Sequence, residues 1–279
     1  MRKRIWIGMF FYAFWAVSCG PSVHFIATSD PHFNGTEENY QVNCMAVDTM
    51  NQLKDFGPDF VWVLGDLTDG AKEKEWQQYT EVYGLRGEKR LRYPVMECFG
   101  NHDGNIDGIV RKGIQARNKS RAFKIHTDSL GLHYSWDIKG VHFVNLNLYP
   151  ADGWDPTCEW CKYFKESFRE AQNSLTFLEQ DLHEQVGRSK RPVVLAFHLG
   201  YDDFSKLWWT ESDRKAFYEV IKDYNIIAIF HGHNHAVIHQ QWRNIPIWSV
   251  GSPQSGKKLG TFLLVKVNRK GECQVKPYQ

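Results

Sequence analysis

The sequence predicts an α/β fold in which the strands of a parallel sheet alternate with helices. Apolar, β-branched runs are followed by helical segments three times in the N-terminal third of the 279 residues, and the alternation resumes near residue 192. Such alternation is typical of βα units with helices outside a parallel sheet. Polar side chains stand directly after several of these runs, where open α/β sheets carry their functional loops. We therefore expect a functional site at one edge of the sheet.

The first half of the chain supplies three of these units and then changes character. Its predicted strands are residues 23–28, 60–64 and 93–99, and its predicted helices are residues 40–56 and 72–83. Gly57-Pro58 ends the first helix, because proline cannot continue a helical backbone. Residues 104–132 are predicted to be loop-like or weakly helical. Strands at 134–138 and 141–147 form a predicted hairpin around Lys139-Gly140.

The second half contains a long aromatic loop, further βα steps and a β-rich tail. Thr210 and Asp213 could cap one of its helices. The predicted helices are residues 170–186 and 211–224, the next predicted strands are 192–197 and 226–230, and the antiparallel tail strands are 236–242, 246–250, 261–267 and 273–276. Because neither a repeat nor a linker divides the chain, residues 20–279 are predicted to form a single domain.

Residues 1–19 have the pattern of an export signal. Basic Arg2-Lys3-Arg4 precedes an apolar run, Ile5 to Val17, that is shorter than the roughly 20 residues of a membrane-spanning helix. Ala16-Val17-Ser18-Cys19 fits signal-peptidase cleavage and also resembles a bacterial lipobox, in which Cys19 is lipidated. We expect export to the periplasm or cell envelope with a lipid anchor on Cys19. A plain secreted protein is the alternative.

Charge and cysteine content restrict the possible partners. The formal net charge is +2, and −1 without the three basic residues of the predicted signal, so nothing indicates a nucleic-acid partner. Lipidation of Cys19 would leave five of the six cysteines, an odd number that excludes a complete disulfide framework. Cys158 and Cys161 could form a local disulfide, a redox pair or two thiols, and the exported setting favours the disulfide.

Polar residues of metal-ligand type collect after the predicted strands. They are Asp30, His32, Asp66, Asp69, Asn101, His102, His198, His233 and His235. A mixture of carboxylate, imidazole and amide groups suits borderline divalent metals such as Mn, Fe, Zn, Co or Ni. The set is too large for one tetrahedral ion, and two divalent metal ions that share a bridging carboxylate account for its size. A third histidine near the last pair, His231, is interpreted as a packing residue.

Five short motifs in this set resemble those of the calcineurin-like metallophosphoesterases, and they occur in the family's order. The motifs are Asp30-x-His32, Gly65-Asp66-x-x-Asp69, Gly100-Asn101-His102-Asp103, a strand-terminal His198 and Gly232-His233-x-His235. The resemblance implies two facing mixed β-sheets flanked by helices, a four-layer α/β/β/α sandwich. It also implies a two-metal site at the edge of the sheets.

The resemblance assigns a role to each motif residue. It places Asp30, His32, Asp66 and His235 on one metal, and Asp66, Asn101, His198 and His233 on the other, so that Asp66 bridges the two. His102 takes the position of a protonating histidine, and Asp69 that of a carboxylate which orients it. The implied reaction is hydrolysis of a phosphomonoester by a bridging water or hydroxide, with His102 as the general acid.

Substrate contacts are predicted from position in the sequence alone. Arg117 belongs to the basic segment 111–124, which could guide a phosphorylated substrate or form a solvated surface loop. Tyr201, Trp208 and Trp209 follow His198 and could contact a leaving group. A hydrophobic cap that stabilises the long loops is the alternative for these aromatic residues.

Together these patterns predict a metal-dependent phosphoesterase that acts on a small phosphorylated substrate. Hydrolysis of a phosphodiester, in a cyclic nucleotide, a nucleotide or a lipid head group, is the alternative activity. A non-catalytic metal-binding scaffold is the alternative class, but such a protein would be expected to have lost some of the ligands. The sequence determines neither the native metals nor the oligomeric state.

Overall fold

The computed structural model describes residues 21–153, 155 and 170–278. Its strands are β1 (Ser22–Thr28), β2 (Phe60–Leu64), β3 (Val95–Cys98), β4 (Ile125–Thr127), β5 (Tyr134–Ile138), β6 (Val141–Asn145), β7 (Val193–Phe197), β8 (Ile226–His231), β9 (Ile238–Trp242), β10 (Ile245–Ser249), β11 (Gln254–Ser255), β12 (Lys258–Leu259), β13 (Phe262–Asn268) and β14 (Cys273–Tyr278). Its α-helices are α1 (Glu37–Gln52), α2 (Glu73–Val82), α3 (Ile109–Asn118), α4 (Ser174–Asp181) and α5 (Glu211–Ile221).

The strands form two large mixed sheets and one small hairpin. The first sheet has the order β14-β13-β1-β2-β3, in which β1, β2 and β3 are parallel. The second sheet has the order β4-β5-β6-β7-β8-β10-β9, in which β6, β7, β8 and β10 are parallel. Within the described part of the chain, strands β11 and β12 pair only with each other. The predicted architecture of two mixed sheets flanked by helices is confirmed.

Aromatic side chains fill the space between the two sheets. Phe25 of β1 meets Phe143 of β6 and Phe230 of β8 edge to face, with ring centroids 5.7 Å apart in both pairs. Trp62 of β2 packs against Trp136 of β5 at 5.1 Å. Each such pair contributes about 0.5–1.5 kcal/mol beyond the burial of its area. The high aromatic content of the chain therefore serves partly to hold the sheets face to face.

Helices cover the outer faces of the sheets. Side chains alternate between the two faces of each strand, so the apolar side chains that do not face the other sheet pack against these helices. One buried cluster contains Ile26 and Val63 of the first sheet, Leu195 and Ile229 of the second, and apolar residues from all five helices. Helix α2 contacts α1 and α3, whereas α4 contacts α5. None of the helices in the described ranges is long and apolar enough to cross a membrane.

Three local structures differ from the sequence-based predictions. Residues 104–132 contain the regular helix α3, because Val110 and Ile114 are buried at helical spacing. The helix predicted to end at Val186 finishes instead as a π-helical turn over Leu182–Val186. Strand β10 is antiparallel to β9, as expected, but parallel to β8, because it inserts between them after a tight turn.

Helix caps follow the predicted chemistry at α5. The Thr210 hydroxyl accepts a hydrogen bond from Asp213 N, and the Asp213 carboxylate accepts one from Thr210 N. A simpler cap begins α1, where the Thr36 hydroxyl accepts a hydrogen bond from Asn39 N without a reciprocal bond. Such caps satisfy backbone N–H groups that have no partner within the helix, and each contributes about 1 kcal/mol.

Candidate metal centre

Five loops converge at one edge of the sandwich, each directly after the carboxyl end of a strand. The first loop joins the second through Asp30 N, which donates to Gly65 O at 3.0 Å. Gly232 N donates to His198 O at 3.0 Å and joins the two loops of the other sheet. The sequence-predicted ligands lie on these loops: Asp30 and His32 after β1, Asp66 after β2, Asn101 after β3, His198 after β7, and His233 and His235 after β8.

Asp30, His32 and His235 form the first cluster of ligand-type atoms. His32 Nε2 lies 3.1 Å from His235 Nε2. Asp30 Oδ1 lies 3.8 Å from His32 Nε2 and 3.4 Å from His235 Nε2. Asp30 is fully buried, and its Oδ1 has no hydrogen-bond partner within the described part of the chain. A buried carboxylate oxygen of this kind is stable only with a proton or a cation nearby.

Asp66, His198 and His233 form the second cluster, and Asn101 extends it. His198 Nε2 lies 3.0 Å from Asn101 Oδ1 and 3.3 Å from Asp66 Oδ2. On the other side of the ring, His198 Nδ1 lies 2.8 Å from the Leu64 carbonyl oxygen. Because a carbonyl can only accept, Nδ1 carries a proton, and Nε2 is the ring nitrogen that faces the cluster.

Asp66 connects the two clusters through a single oxygen atom. Its Oδ2 lies 3.6 Å from His32 Nε2 in the first cluster and 3.3 Å from His198 Nε2 in the second. Its Oδ1 accepts a hydrogen bond from His102 N at 2.8 Å, which fixes the orientation of the carboxylate. A bridging ligand needs this arrangement, in which one oxygen faces both clusters.

The backbone of the site adopts conformations that are unusual for residues with side chains. Asp30, His32, Asp66, His233 and His235 all have positive φ, between 42° and 73°. Such a conformation costs about 1–3 kcal/mol at each non-glycine residue, and it persists only where surrounding contacts enforce it. Sharp left-handed turns at the strand ends direct these side chains inward. Five of the thirteen non-glycine residues with positive φ in the described ranges therefore belong to the two clusters.

Glycines allow the loops to approach one another closely. A Cβ atom on Gly232 would lie 2.6 Å from Leu64 O and would collide with Ser29 Oγ. A Cβ on Gly100 would collide with the Asp66 carboxylate. These two glycines occur in the predicted motifs because of close contact, since neither has a positive φ.

Burial and neighbouring charges set the protonation of the histidines. Burial lowers the pKa of His32, and burial together with the charge of His198 lowers the pKa of His233 to about 4. Burial alone would also lower the pKa of His198, but the Asp66 carboxylate outweighs it and raises this pKa to about 9. The second cluster therefore attracts positive charge at His198 Nε2, between Asp66 and Asn101.

The residues present fit two divalent cations. Carboxylate, imidazole and amide donors converge, a buried oxygen of Asp30 has no partner, and His198 Nε2 faces two acceptor oxygens. Neutral imidazoles such as those of His32 and His233 can act as ligands at neutral pH. The donor set contains no thiolate and suits Mn, Fe, Zn, Co or Ni. The structure thus provides groups that could bind metal.

His102 and Asp69 lie beside the first cluster, where the His102 side chain is 43% exposed. His102 Nδ1 lies 2.7 Å from the main-chain oxygen of Asp69, whereas the nearest oxygen of the Asp69 carboxylate is 4.0 Å away. The carboxylate oxygen is closer to His32 Nδ1, at 3.5 Å. The Asp69 backbone, rather than its side chain, makes the hydrogen bond that orients His102, and His102 Nε2 is left for proton transfer.

Asp103 is a buried residue of the site to which sequence reasoning assigned no role. Its two carboxylate oxygens accept hydrogen bonds from Leu67 N, Thr68 N, Thr68 Oγ1 and Gly100 N, at 2.8–3.1 Å. These bonds tie the loop after β2 to the loop after β3. In the sequence, its position directly after His102 in the motif Gly100-Asn101-His102-Asp103 could have indicated a role in the site.

Arg117 does not reach the candidate site, which corrects the prediction that it contacts substrate. Its guanidinium donates to the Glu97 carboxylate at 2.8 and 3.0 Å and to the main-chain oxygens of Tyr83 and Gly84. Arg121 donates to the same carboxylate at 2.6 Å. Glu97 is fully buried, and its charge holds both arginines in the interior, so part of the predicted basic surface is a buried ion cluster.

Tyr201, Trp208 and Trp209 pack mainly into a hydrophobic cap. Trp208 and Trp209 are 3% and 0% exposed, and the Trp209 indole donates to Pro150 O at 3.0 Å. The Tyr201 and Trp209 rings meet edge to face at 5.0 Å. Tyr201 and Trp209 therefore pack as the structural alternative describes, whereas Trp208 lines a small pocket beside Asn101 and its contact with substrate stays a prediction. His231 is also fully buried, and it belongs to neither metal-type cluster.

Phe204 is an exposed aromatic residue of this loop that contacts a residue of the second cluster, and the sequence did not single it out. Its ring stacks on His233 at 5.3 Å, yet 52% of the residue remains exposed. An open cleft of about 600 Å³ extends from the clusters. It is lined by His32, Asn34, Thr36, Glu38, Asn39, Asp66, Asp69, His102, His233, His235, Gln254, Gly256 and Lys257.

Comparison with known proteins identifies the family. A model of the family described as calcineurin-like phosphoesterase matches residues 23–237, which include every predicted ligand. The chain belongs to the calcineurin-like phosphoesterase family. It is accordingly a hydrolase of phosphoric ester bonds, and the family predicted from the five motifs is confirmed.

Individual relatives are distant in sequence. The chain is 23% identical to the Metallophosphoesterase 1 homolog of Drosophila melanogaster, over 90% of this chain and 75% of that protein. It is 24% identical to Purple acid phosphatase 15 of Arabidopsis thaliana over 68% of its own length, but it spans only 37% of the plant protein. The fold resembles that of a dimetal phosphatase from Danio rerio, with a TM-score of 0.63, 14% identity, and coverage of 92% and 99% of the two chains.

The predicted export signal, its lipidation site Cys19 and the Cys158–Cys161 pair lie outside the described residues. Cys44, Cys98 and Cys273 are free thiols.

Proposed function

We propose that this family member is a two-metal phosphomonoesterase that acts on a small phosphorylated substrate. The position of Asp66 Oδ2, within 3.6 Å of histidine nitrogens from both clusters, is the observation that carries the proposal. The names of its relatives, which include a dimetal phosphatase and purple acid phosphatases, point in the same direction. The ligand assignment follows the two clusters: Asp30, His32, Asp66 and His235 on one ion, and Asp66, Asn101, His198 and His233 on the other.

Bound divalent cations would neutralise charge on the phosphate oxygens and lower the pKa of a water molecule, so that it can attack phosphorus near neutral pH. The chain's own residues prepare the site for this chemistry. Hydrogen bonds from His102 N to Asp66 and from His233 N to Asp30 fix the two carboxylates, at 2.8 and 3.0 Å. The Leu64 carbonyl fixes the His198 ring. Ligands held in this way need little reorganisation during the reaction.

His102 is the proposed general acid. Its Nδ1 is occupied by the Asp69 carbonyl, so the proton for the leaving alkoxide comes from Nε2. Its partly exposed ring lines the cleft, where a substrate can approach it. The Asp69 main-chain oxygen orients His102, and we propose that the Asp69 carboxylate, 3.5 Å from His32 Nδ1, supports the orientation of the His32 ring. Proton donation matters most for alcohols that are poor leaving groups.

Activity assays on the Mn²⁺-loaded protein separate the competing functions. Hydrolysis of p-nitrophenyl phosphate faster than of bis-p-nitrophenyl phosphate supports a phosphomonoesterase, and the reverse order supports a phosphodiesterase. Bound metal without hydrolysis of either ester would indicate a non-catalytic scaffold and would overturn the proposal.

A variant at the general acid tests the mechanism. His102→Ala should keep its metal content and lose about 10²–10⁴-fold in kcat on an alkyl phosphate, with a smaller loss on p-nitrophenyl phosphate, which needs little protonation. His239→Ala is a matched control, because this histidine lies on β9 and stacks on Trp248. Equal losses for the two substrates would contradict the general-acid role.

We further propose that the protein is exported and anchored to a membrane by lipid on Cys19. The pattern Ala16-Val17-Ser18-Cys19 after a short apolar run supports this proposal. Mass spectrometry of the mature N-terminus should find a diacylglyceryl group on Cys19, and Cys19→Ser should release the protein from membranes. A mature N-terminus that carries an unmodified cysteine would support plain secretion instead.

A further inference from the structure

The cleft beside the two clusters has an outer wall built from polar and charged residues and one glycine. The N-terminal turn of α1 and the loop before it contribute Asn34, Thr36, Glu38 and Asn39, and the β11–β12 hairpin contributes Gln254 and Lys257. The hairpin contacts α1, so these two elements enclose the cleft. No Phe, Tyr, Trp or aliphatic side chain lines it within the described part of the chain.

The proposed general acid shows which part of the substrate occupies this cleft. His102 lines the cleft together with His32 and Asp69, and it protonates the leaving oxygen in the proposed mechanism. A proton donor must be within hydrogen-bond reach of the group that it protonates. The phosphate would lie at the two clusters, and the alcohol portion of the substrate would extend into the cleft. The residues of the outer wall would therefore contact the leaving group of the substrate.

Several polar groups of the wall are free to bind a ligand. The Asn34 side-chain oxygen accepts hydrogen bonds from Thr36 N and Thr36 Oγ1. The Asn39 side-chain oxygen accepts from Asn34 N and from the Asn43 amide. The side-chain nitrogens of Asn34 and Asn39 donate to no group in the described ranges. The Gln254 side chain likewise makes no hydrogen bond with the described residues. Amide donors and acceptors of this kind complement hydroxyl groups, which both donate and accept.

The charges of the wall disfavour other leaving groups. Lys257 is its only Lys or Arg among the described residues, and its ammonium is already paired with Glu38 at 2.6 Å. A second phosphate would therefore find no unpaired cation away from the clusters. Among the described residues, a nucleobase would find no ring of Phe, Tyr or Trp on this wall to stack on, and an acyl chain would find no aliphatic residue there. A neutral, hydroxyl-rich group fits best.

We infer that the substrate is a phosphomonoester of a sugar or another polyol, whose hydroxyl groups are bound by Asn34, Asn39 and Gln254. This inference rests on the proposed phosphomonoesterase function. It assigns to the β11–β12 hairpin a role in specificity. Binding of the alcohol by three amide groups would contribute both affinity and orientation toward His102.

A substrate panel combined with two hairpin variants tests the inference. The wild-type protein, loaded with Mn²⁺, should have a higher kcat/KM for glucose 6-phosphate and sorbitol 6-phosphate than for adenosine 5′-monophosphate and phosphatidic acid. In Gln254→Ala, kcat/KM for the sugar phosphate should fall about 3–10-fold more than that for p-nitrophenyl phosphate, because one or two hydrogen bonds to hydroxyl groups are lost. Since the Gln254 side chain bonds to no described residue, this variant should fold normally.

Ser255→Ala is the matched control, since Ser255 lies on the same strand, is exposed and does not line the cleft. It should leave the ratio of the two kcat/KM values unchanged. A preference for the nucleotide or the lipid, or an equal effect of Gln254→Ala on both esters, would overturn the inference while leaving the phosphomonoesterase function intact. Failure of the wild type to hydrolyse p-nitrophenyl phosphate would instead overturn the proposed function itself.

Discussion

Replacing Glu97 by glutamine should destabilise the fold strongly, because Glu97 is the buried counter-ion of Arg117 and Arg121. Glu97 is fully buried beside Arg117 and Arg121, and it accepts hydrogen bonds from both guanidinium groups at 2.6–3.0 Å. Glutamine nearly preserves the shape of the side chain but removes its charge. Two buried arginines would then lack a counter-ion, a situation that typically costs about 3–5 kcal/mol.

The pKa of Glu97 gives a second measure of the same interaction. Burial by itself raises this pKa, but Arg117 and Arg121 outweigh burial and lower it from 4.5 to about 2. At roughly 1.4 kcal/mol per pH unit, the difference corresponds to about 3 kcal/mol of stabilisation by the ionised form. Because the folded pKa is depressed, this contribution is complete above pH 4.5 and is lost as the pH falls toward 2. The two magnitudes agree, and they are a large part of an ordinary domain stability of about 5–15 kcal/mol.

Urea unfolding at pH 7 measures the effect. Glu97→Gln should lower the free energy of unfolding by about 3–5 kcal/mol. Asp48→Asn is the control, because Asp48 forms an exposed ion pair with Arg90 and should cost less than about 1 kcal/mol. A second variant, Arg117→Lys, should also lower stability, but KM of the remaining folded protein should not change. An unchanged free energy of unfolding for Glu97→Gln, or a raised KM for Arg117→Lys at full stability, would refute this reasoning.

Two further predictions concern pH and the packing of the site. The carboxylates of Asp137 and Asp181, each 2.7 Å from a ring nitrogen of His142, raise the pKa of this histidine against the opposing effect of burial. The contribution of the protonated histidine to the free energy of unfolding is therefore complete below pH 6.5, and it is lost as the pH rises through the folded pKa. Measurements of the free energy of unfolding from pH 5 to 9 should detect this loss in the wild type and not in His142→Gln. Gly65→Ala should lower metal content and kcat together, because φ at Gly65 is +92° and a Cβ would collide with the His198 ring. Normal metal content in purified Gly65→Ala would show that the loop can move aside.

The convergence of the candidate ligands could be predicted from short segments because each of them follows its own strand closely. Asp66 comes two residues after β2, His198 directly after β7, and His233 two residues after β8, so the strand places the side chain. Parallel strands bring their carboxyl ends to one edge, and this is sufficient to predict that the ligands converge. The fold class follows from the same alternation of strands and helices.

The failed predictions involve contacts between segments that are distant in sequence. The buried partner of Arg117 is Glu97, 20 residues away, and a basic residue alone does not reveal such a pair. Whether an aromatic residue of the loop after His198 packs inward, as Trp209 does, or contacts a residue of the second cluster, as Phe204 does, depends on tertiary packing. A local pattern contains no information on either point.

The central claim is that Asp66 bridges two metal ions, and metal analysis of the purified protein with and without this carboxylate tests it most directly. The wild type should bind two equivalents of divalent metal, and Asp66→Asn should weaken both sites because Oδ2 faces His32 and His198 together. Asp48→Asn should still bind two equivalents. Loss of a single ion from Asp66→Asn would assign the carboxylate to one site only, and unchanged stoichiometry and affinity would contradict the bridge altogether.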